Sequence, residues 1–171
     1  MLKPTIAIIG YGDFTKLMIK HLKRHFKIVV ASRSHKPGTK LGGVKFVSNE
    51  DALAQKVIIP SIPAQALESF FAENKQHINE RALVVDVCSV KANPVKVLQK
   101  VLPSSVEILA THPLFGPASS KNGIKGNKIM LHQTRLPDAK YQKIKKFLYK
   151  KLGLKIIECT PEEHDKMMAY S

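Results

Sequence analysis

An apolar, β-branched run, Thr5-Ile6-Ala7-Ile8-Ile9, breaks at Gly10-Tyr11-Gly12 and gives way to an amphipathic stretch. Strand, tight turn and helix in that order constrain the fold more than any other feature of the chain. The helix opens with unused backbone N–H groups facing whatever lies above the turn. Glycines there let the backbone approach a pyrophosphate, whose charge the helix N-terminus favours. Gly10, Tyr11, Gly12, Asp13 and Phe14 are therefore candidate cofactor contacts. Two departures from G-x-G-x-x-G matter. Thr15 holds the third glycine position and should widen the helix–strand crossing. Asp13 would repel a pyrophosphate unless it turns aside to cap the helix. A lone Gly-x-Gly also suits an ordinary strand-to-helix turn, and the flanking elements favour the nucleotide reading.

The same alternation continues. Apolar runs near 5–9, 27–31, 56–59, 82–87, 106–110, 128–132 and 154–158 predict strands. Helical patterns fall near 13–24, 63–75, 92–101, 138–151 and from 161 onward, and Pro37 to Gly43 reads as a loop. Alternating strands and helices predict an α/β fold of the Rossmann type: a doubly wound, mostly parallel sheet with helices on both faces. Ligands in such sheets bind beyond the carboxyl ends of the strands. There the chain places Gly10, Ser61, the segment Asp86 to Lys91, and Thr111-His112-Pro113. Ser61 joins the candidate cofactor contacts.

The end of the second strand selects the cofactor. An acidic residue about 20 positions past the glycines would bind the ribose 2′-hydroxyl of NAD. Ser32-Arg33-Ser34 stands there instead, with Lys36 close by. Hydroxyls and a guanidinium suit a 2′-phosphate, because arginine pairs bidentately with phosphate. NADP is the expected cofactor, although a solvated basic loop would carry the same residues.

Composition narrows the partners. The 171 residues suit one domain, and 44% apolar content suits a packed core. No apolar run is long enough to span a bilayer, and no signal peptide is evident, so a cytoplasmic protein is expected, or a plastid one had a transit peptide been removed. Cys88 and Cys159 lie far apart without metal-ligand spacing and read as reduced thiols, and no metal is expected. The net charge of +15 admits nucleic acid, an anionic membrane or small anions. The lysines of 138–151 surround an apolar stripe of Tyr141, Ile144 and Leu148, as on a solvated outer helix. No nucleic-acid motif accompanies them, so small anions are expected as partners rather than nucleic acid or membrane.

The segments Asp86-Val87-Cys88-Ser89-Val90-Lys91 and Ala110-Thr111-His112-Pro113-Leu114-Phe115-Gly116-Pro117 resemble the prephenate and arogenate dehydrogenases of tyrosine biosynthesis. That family carries a D-x-x-S-V-K stretch followed by an H-P-[ML]-[FA]-G stretch. The C-terminal Glu163-His164-Asp165 and the residues to Ser171 are similar to its H-D-x-x-x-A-x-x-S helix, and Ser32-Arg33-Ser34 resembles its plant-type, NADP-using branch. The resemblance covers nearly the whole chain in the family's order.

It implies an oxidative decarboxylation. A ring hydride passes to the nicotinamide, carbon dioxide leaves, and the ring becomes aromatic. By resemblance His112 accepts the proton of the ring hydroxyl, a role that suits an imidazole of ordinary pKa about 6.5. Ser89 would orient His112 or the substrate hydroxyl and touch the cofactor, and Lys91 would set the loop's electrostatics. Read without the family, His112 is a loop histidine before a proline, and Ser89 is an N-cap for the helix near Asn93-Pro94. Thr160 to Glu163 forms a capping box with Pro161 at the first helical position, which places His164 and Asp165 in a first turn. The expected division is a nucleotide-binding domain over 1–160 and, over 161–171, the start of a helix. In the family that helix leads to an all-helical domain that makes the homodimer and supplies a substrate-gripping arginine, for which these 171 residues offer no matching position. Two functions follow: the cofactor-binding part of such a dehydrogenase, or a non-catalytic NADP-binding module or partner-dependent subunit.

Overall fold

A computed structural model describes residues 3–170. The element order begins with β1 (Thr5–Ile9), α1 (Asp13–Leu22), β2 (Lys27–Ala31), β3 (Lys40–Leu41), β4 (Val44–Val47), α2 (Asn49–Leu53) and β5 (Val57–Pro60). It continues with α3 (Leu67–Glu73), β6 (Leu83–Asp86), α4 (Ala92–Val101), β7 (Glu107–Pro113), β8 (Lys128–Arg135), α5 (Asp138–Lys150), β9 (Lys155–Glu158) and α6 (Pro161–Met168). Single 3-10 turns flank α3 at 64–66 and 75–77. Ser171, the end of the expected motif helix, lies outside the described residues.

Among the described residues, nine strands join one sheet in the order β3-β4-β2-β1-β5-β6-β7-β8-β9. Pairing is parallel except at β3–β4 and β7–β8. This is the expected Rossmann-like, mostly parallel sheet with helices on both faces. Alternation along β1 shows why both faces are covered. Ala7 and Ile9 pack with Leu53, Phe71 and Leu98 from α2, α3 and α4. Ile6 and Ile8 pack on the opposite face with Ile19 of α1. Further along that face, Leu83, Leu109 and Leu131 meet Leu17 of α1 and Tyr141 of α5. A period of two with both sets apolar is the signature of a doubly buried strand.

Several segments differ from the sequence-based expectation. The stretch after Pro37 folds into the β3–β4 hairpin and α2, where only a loop was expected to Gly43 and nothing beyond it. The short alternation Val44-Lys45-Phe46-Val47 is buried only at Val44 and Phe46, with Lys45 exposed. Ser48 then caps α2 by accepting the Asp51 N–H at 3.0 Å. The helical pattern of 63–75 breaks into a 3-10 turn and the shorter α3. β7 runs three residues further than expected, so His112 lies within a strand rather than in the loop beyond it.

Candidate functional site

The winding reverses at β1. The chain passes to β2 and β4 on one side, then returns to β5 on the other. In sheets of this kind a ligand crevice lies at such a reversal, beyond the carboxyl ends of the two strands, here β1 and β5. Gly10 and Ser61 are its two lips. Gly10 has φ +100°, and a Cβ there would lie 2.3 Å from the Ser61 carbonyl oxygen. Only glycine meets both conditions. Gly12 is different: a side chain there would meet open space, so its absence clears room above the turn. The N–H groups of Asp13 and Phe14 have no intrahelical acceptor, since the first α1 bond runs from the Lys16 N–H to the Gly12 carbonyl.

The irregular positions resolve locally. Gly12, not Asp13, is the N-cap, and no side chain caps this end. Asp13 instead pairs with Lys16 at 2.9 Å on the surface. Thr15 is fully buried and donates its hydroxyl to Ser61 Oγ at 2.9 Å, tying the helix start to the far lip. The Phe14 ring turns inward to the core between α1 and the sheet. Of that residue, the backbone rather than the ring is left to face a ligand.

Beyond β2, Ser32 and Ser34 share a hydroxyl–hydroxyl bond of 2.8 Å. Ser34 Oγ also meets His35 Nδ1 at 2.8 Å. The His35 ring stacks on Phe46 of β4 at 4.3 Å, and the Tyr11 ring sets its edge against both. Two aromatic contacts therefore hold the Ser32-Arg33-Ser34 loop against the glycine turn. Arg33 and Lys36 are exposed on that loop. Hydroxyls in one cluster and a free-standing guanidinium fit a 2′-phosphate.

The second half of the site sits over β6 and β7, which pair in register at Asp86 and Ala110. Ser89 and His112 follow those positions by three and two residues, which brings them to the same edge. Ser89 is exposed, while His112 is half-buried and its Nδ1 lies 2.8 Å from His164 Nε2. The bonding partner of His112 is thus His164 of α6, not Ser89. His164 is itself buried, and its Nδ1 lies 2.8 Å from Asp165 Oδ1. Asp165 also accepts the N–H groups of Lys91 and Ala92, at 2.8 and 2.9 Å, and so caps α4 from a different helix. Ser89 is not that cap; the N-cap residue is Lys91. Burial pushes the Asp165 carboxyl up, but the bonds from Ala92, His164 and Lys91 outweigh it and hold the group below its ordinary value.

This chain of bonds orders the protons. An ionised Asp165 can only accept, so His164 donates from Nδ1. With both rings neutral, His164 Nε2 then accepts from His112 Nδ1–H, and the lone pair of His112 falls on Nε2. Burial first, then His164 and Lys91, lower the His112 pKa to about 4 against a smaller opposing pull from Asp165. The ring is therefore neutral across the whole neutral pH range, and a weaker base than the ordinary imidazole expected from sequence.

Lys91 lies beneath the histidines, fully buried, bonded to the Asp86 carboxylate and to the Thr111 carbonyl at 2.6 Å. Asp86 Oδ1 accepts the Cys88 N–H at 2.9 Å, and Thr111 donates to the Asp86 carbonyl at 2.7 Å. Lys91 thus stitches β6 to β7 from inside, a structural part beyond the loop electrostatics expected of it. Burial and Asp86 push the Cys88 thiol up to about 12, which leaves it inert. Sequence reasoning placed His164 and Asp165 on the right helix but missed their part in the site. Their pairing with His112 spans 52 residues and is visible only once α6 packs on α4.

Known proteins resemble this chain in sequence and in fold. Residues 18–158 match the family model of the prephenate dehydrogenase nucleotide-binding domain. The chain is 31% identical over 172 residues to a probable arogenate/prephenate dehydrogenase of Methanocaldococcus jannaschii, covering 96% of this chain and 38% of that one. It is 32% identical over 176 residues to the chloroplastic arogenate dehydrogenase 2 of Arabidopsis thaliana, covering 97% and 49%. The chain thus spans less than half the length of these relatives. Among solved structures, prephenate dehydrogenase from A. aeolicus in complex with hydroxyphenyl propionate and NAD+ superposes with a TM-score of 0.77 at 23% identity, covering 98% of this chain and 64% of that one. That likeness is one of fold. The family match spans the β2 loop, the Asp86–Lys91 segment and His112 alike, and by it the chain belongs to the prephenate dehydrogenase nucleotide-binding-domain family.

Proposed function

We propose that this chain is the NADP-binding part of an enzyme that oxidatively decarboxylates prephenate or arogenate in tyrosine biosynthesis. The observation that carries this reading is the hydrogen-bond series from Asp165 through His164 to His112, which leaves His112 Nε2 as an acceptor at the carboxyl edge of the sheet. A bound nicotinamide would supply the hydride acceptor. The chain's own residues supply the rest. The turn at Gly10 and Gly12 and the N–H groups of α1 receive the pyrophosphate. Ser32, Arg33 and Ser34 receive the 2′-phosphate, with Lys36 beside them. His112 Nε2 takes the proton of the substrate's ring hydroxyl, and the exposed Ser89 hydroxyl orients it. Loss of the ring carboxylate as carbon dioxide then needs no further base.

The family membership and the printed activities of the relatives support this reading. A second reading is a nucleotide-binding module, or partner-dependent subunit, without turnover of its own. NADPH formation followed by absorbance, with prephenate and arogenate in turn, separates the two. Replacing His112 with Asn should cut turnover roughly 10²–10⁴-fold, the usual worth of a positioned acid–base group, with cofactor affinity unchanged. Unaltered turnover in that variant refutes the assignment.

The cofactor choice has its own test. Arg33→Ala should weaken NADP by about 1.5–3 kcal/mol, one charged hydrogen bond, and leave NAD nearly unaffected. Calorimetry that finds equal NADP and NAD affinities in the unmodified chain would count against NADP.

A further inference from the structure

Between α1, α5 and the sheet lies a cavity of about 380 Å³, on the face opposite α2, α3 and α4. Its walls are almost wholly apolar and include Phe14, Met18, Val85, Phe147 and Leu148. At the C-terminal end of α1 it meets a second cavity of about 240 Å³ with the opposite chemistry. Lys20, His21, Arg24, His25, Lys125 and Lys151 line that one. His21, Ile124 and Leu152 belong to both walls, so the two spaces adjoin.

Two facts ask for a ligand. His21 Nε2 is buried and has no hydrogen-bond partner among the described residues. A buried polar atom left unpaired costs about 1–3 kcal/mol, and such atoms are rare. Among the described residues, Lys20, Arg24, Lys125 and Lys151 also form no ion pair with a carboxylate. Helix C-termini favour cations, which explains why several gather at the ends of α1 and α5. It does not explain an orphaned ring nitrogen between an apolar space and a cationic one. The volume lies in the usual range for small-molecule sites, which are largely apolar with a few convergent polar groups.

We propose that the two cavities form one binding site for a single-chain amphiphile with a carboxylate head, of the fatty-acid class. The hydrocarbon lies between α1 and α5. The carboxylate sits among Lys20, Arg24 and Lys151 and accepts a hydrogen bond from His21 Nε2. The head group lies at the opposite end of α1 from the glycine turn, about 15 Å away for a ten-residue helix, while the tail space runs along α1 towards Phe14 and Thr111.

Calorimetric titration of the chain with dodecanoate below its micelle concentration tests the assignment, with dodecanol and dodecyltrimethylammonium as controls. Saturable binding of dodecanoate is expected, with the cationic probe weaker by roughly tenfold or more. Arg24→Glu with Lys151→Glu should weaken dodecanoate by a similar factor. Leu148→Trp should abolish binding by filling the tail space, and Met18→Trp repeats that test from the opposite wall should the first variant melt early. The His21 ring, followed by NMR, should titrate at higher pH with dodecanoate bound, because an adjacent anion favours the imidazolium. Equal affinity for the anionic and cationic probes overturns the proposal, as does binding unchanged in the charge-reversed and Trp variants. No saturable binding overturns it too, and would point to a macromolecular cover such as a protein helix.

Discussion

Two imidazole rings and one carboxylate decide which nitrogen of His112 carries a proton. His164→Ala removes the acceptor that holds His112 in the Nδ1–H form. Under the proposed function, turnover should fall by roughly tenfold to a hundredfold, less than for His112→Asn, since the proposed base itself survives. Nitrogen-15 spectra of the histidine side chains check the cause directly: His112 should be the Nδ1–H tautomer in the unmodified chain and a mixture in the variant. A purely structural role for His164 would leave the tautomer unmoved. Lys91 offers a sharper stability test. Breaking a buried ion pair from one side strands the other charge, here Asp86, and costs about 3–5 kcal/mol. Lys91→Met should therefore lower the midpoint of denaturant unfolding strongly, whereas Lys16→Met, which breaks a surface pair, should leave it nearly unchanged.

Elements were legible where a pattern was local. The β1–turn–α1 unit and the Thr160–Glu163 capping box stand where the residues put them: Thr160 Oγ1 accepts the Glu163 N–H at 3.2 Å, and Glu163 accepts the Thr160 N–H at 2.8 Å. The apolar stripe of α5 likewise packs inward through Tyr141, Ile144 and Leu148. Elements were illegible where a distant partner decided. β7 continues through the polar Thr111 and His112 because antiparallel β8 pairs with them at Leu131 and Met130. β4 forms because β2 offers it an edge, with Val30 opposite Phe46. The cap of α4 comes from 73 residues away, which no local motif could announce. Asp165→Ala should cost about 0.5–2 kcal/mol through that lost cap and should speed hydrogen exchange at the Lys91 and Ala92 amides. Protection equal to the unmodified chain at those two amides would mean that water replaces the carboxylate fully.

At the scale of the whole molecule, half-buried histidines make the fold sensitive to acid. His112, His21 and His132 all have pKa values lowered chiefly by burial. The unfolded chain therefore binds more protons than the folded one as pH falls below about 6.5, so stability rises with pH in that window. Asp165 and Glu158 extend the trend lower: their depressed values give stability that is present above the ordinary carboxylate range and lost as pH falls through the folded values. The melting temperature should be level from pH 8 to 7 and drop steadily from about 6.5 towards 4. A flat profile to pH 4.5 would contradict the burial of these rings. The clasp between α6 and α4 gives this titration a second use. Because His164 and Asp165 both perturb His112, the proton affinity of that one ring is a gauge of how firmly α6 is seated. Anything that pries the helix loose, whether a force, a partner or a domain swinging on it, would be read out as a shifted resonance at the carboxyl edge of the sheet before any strand had moved.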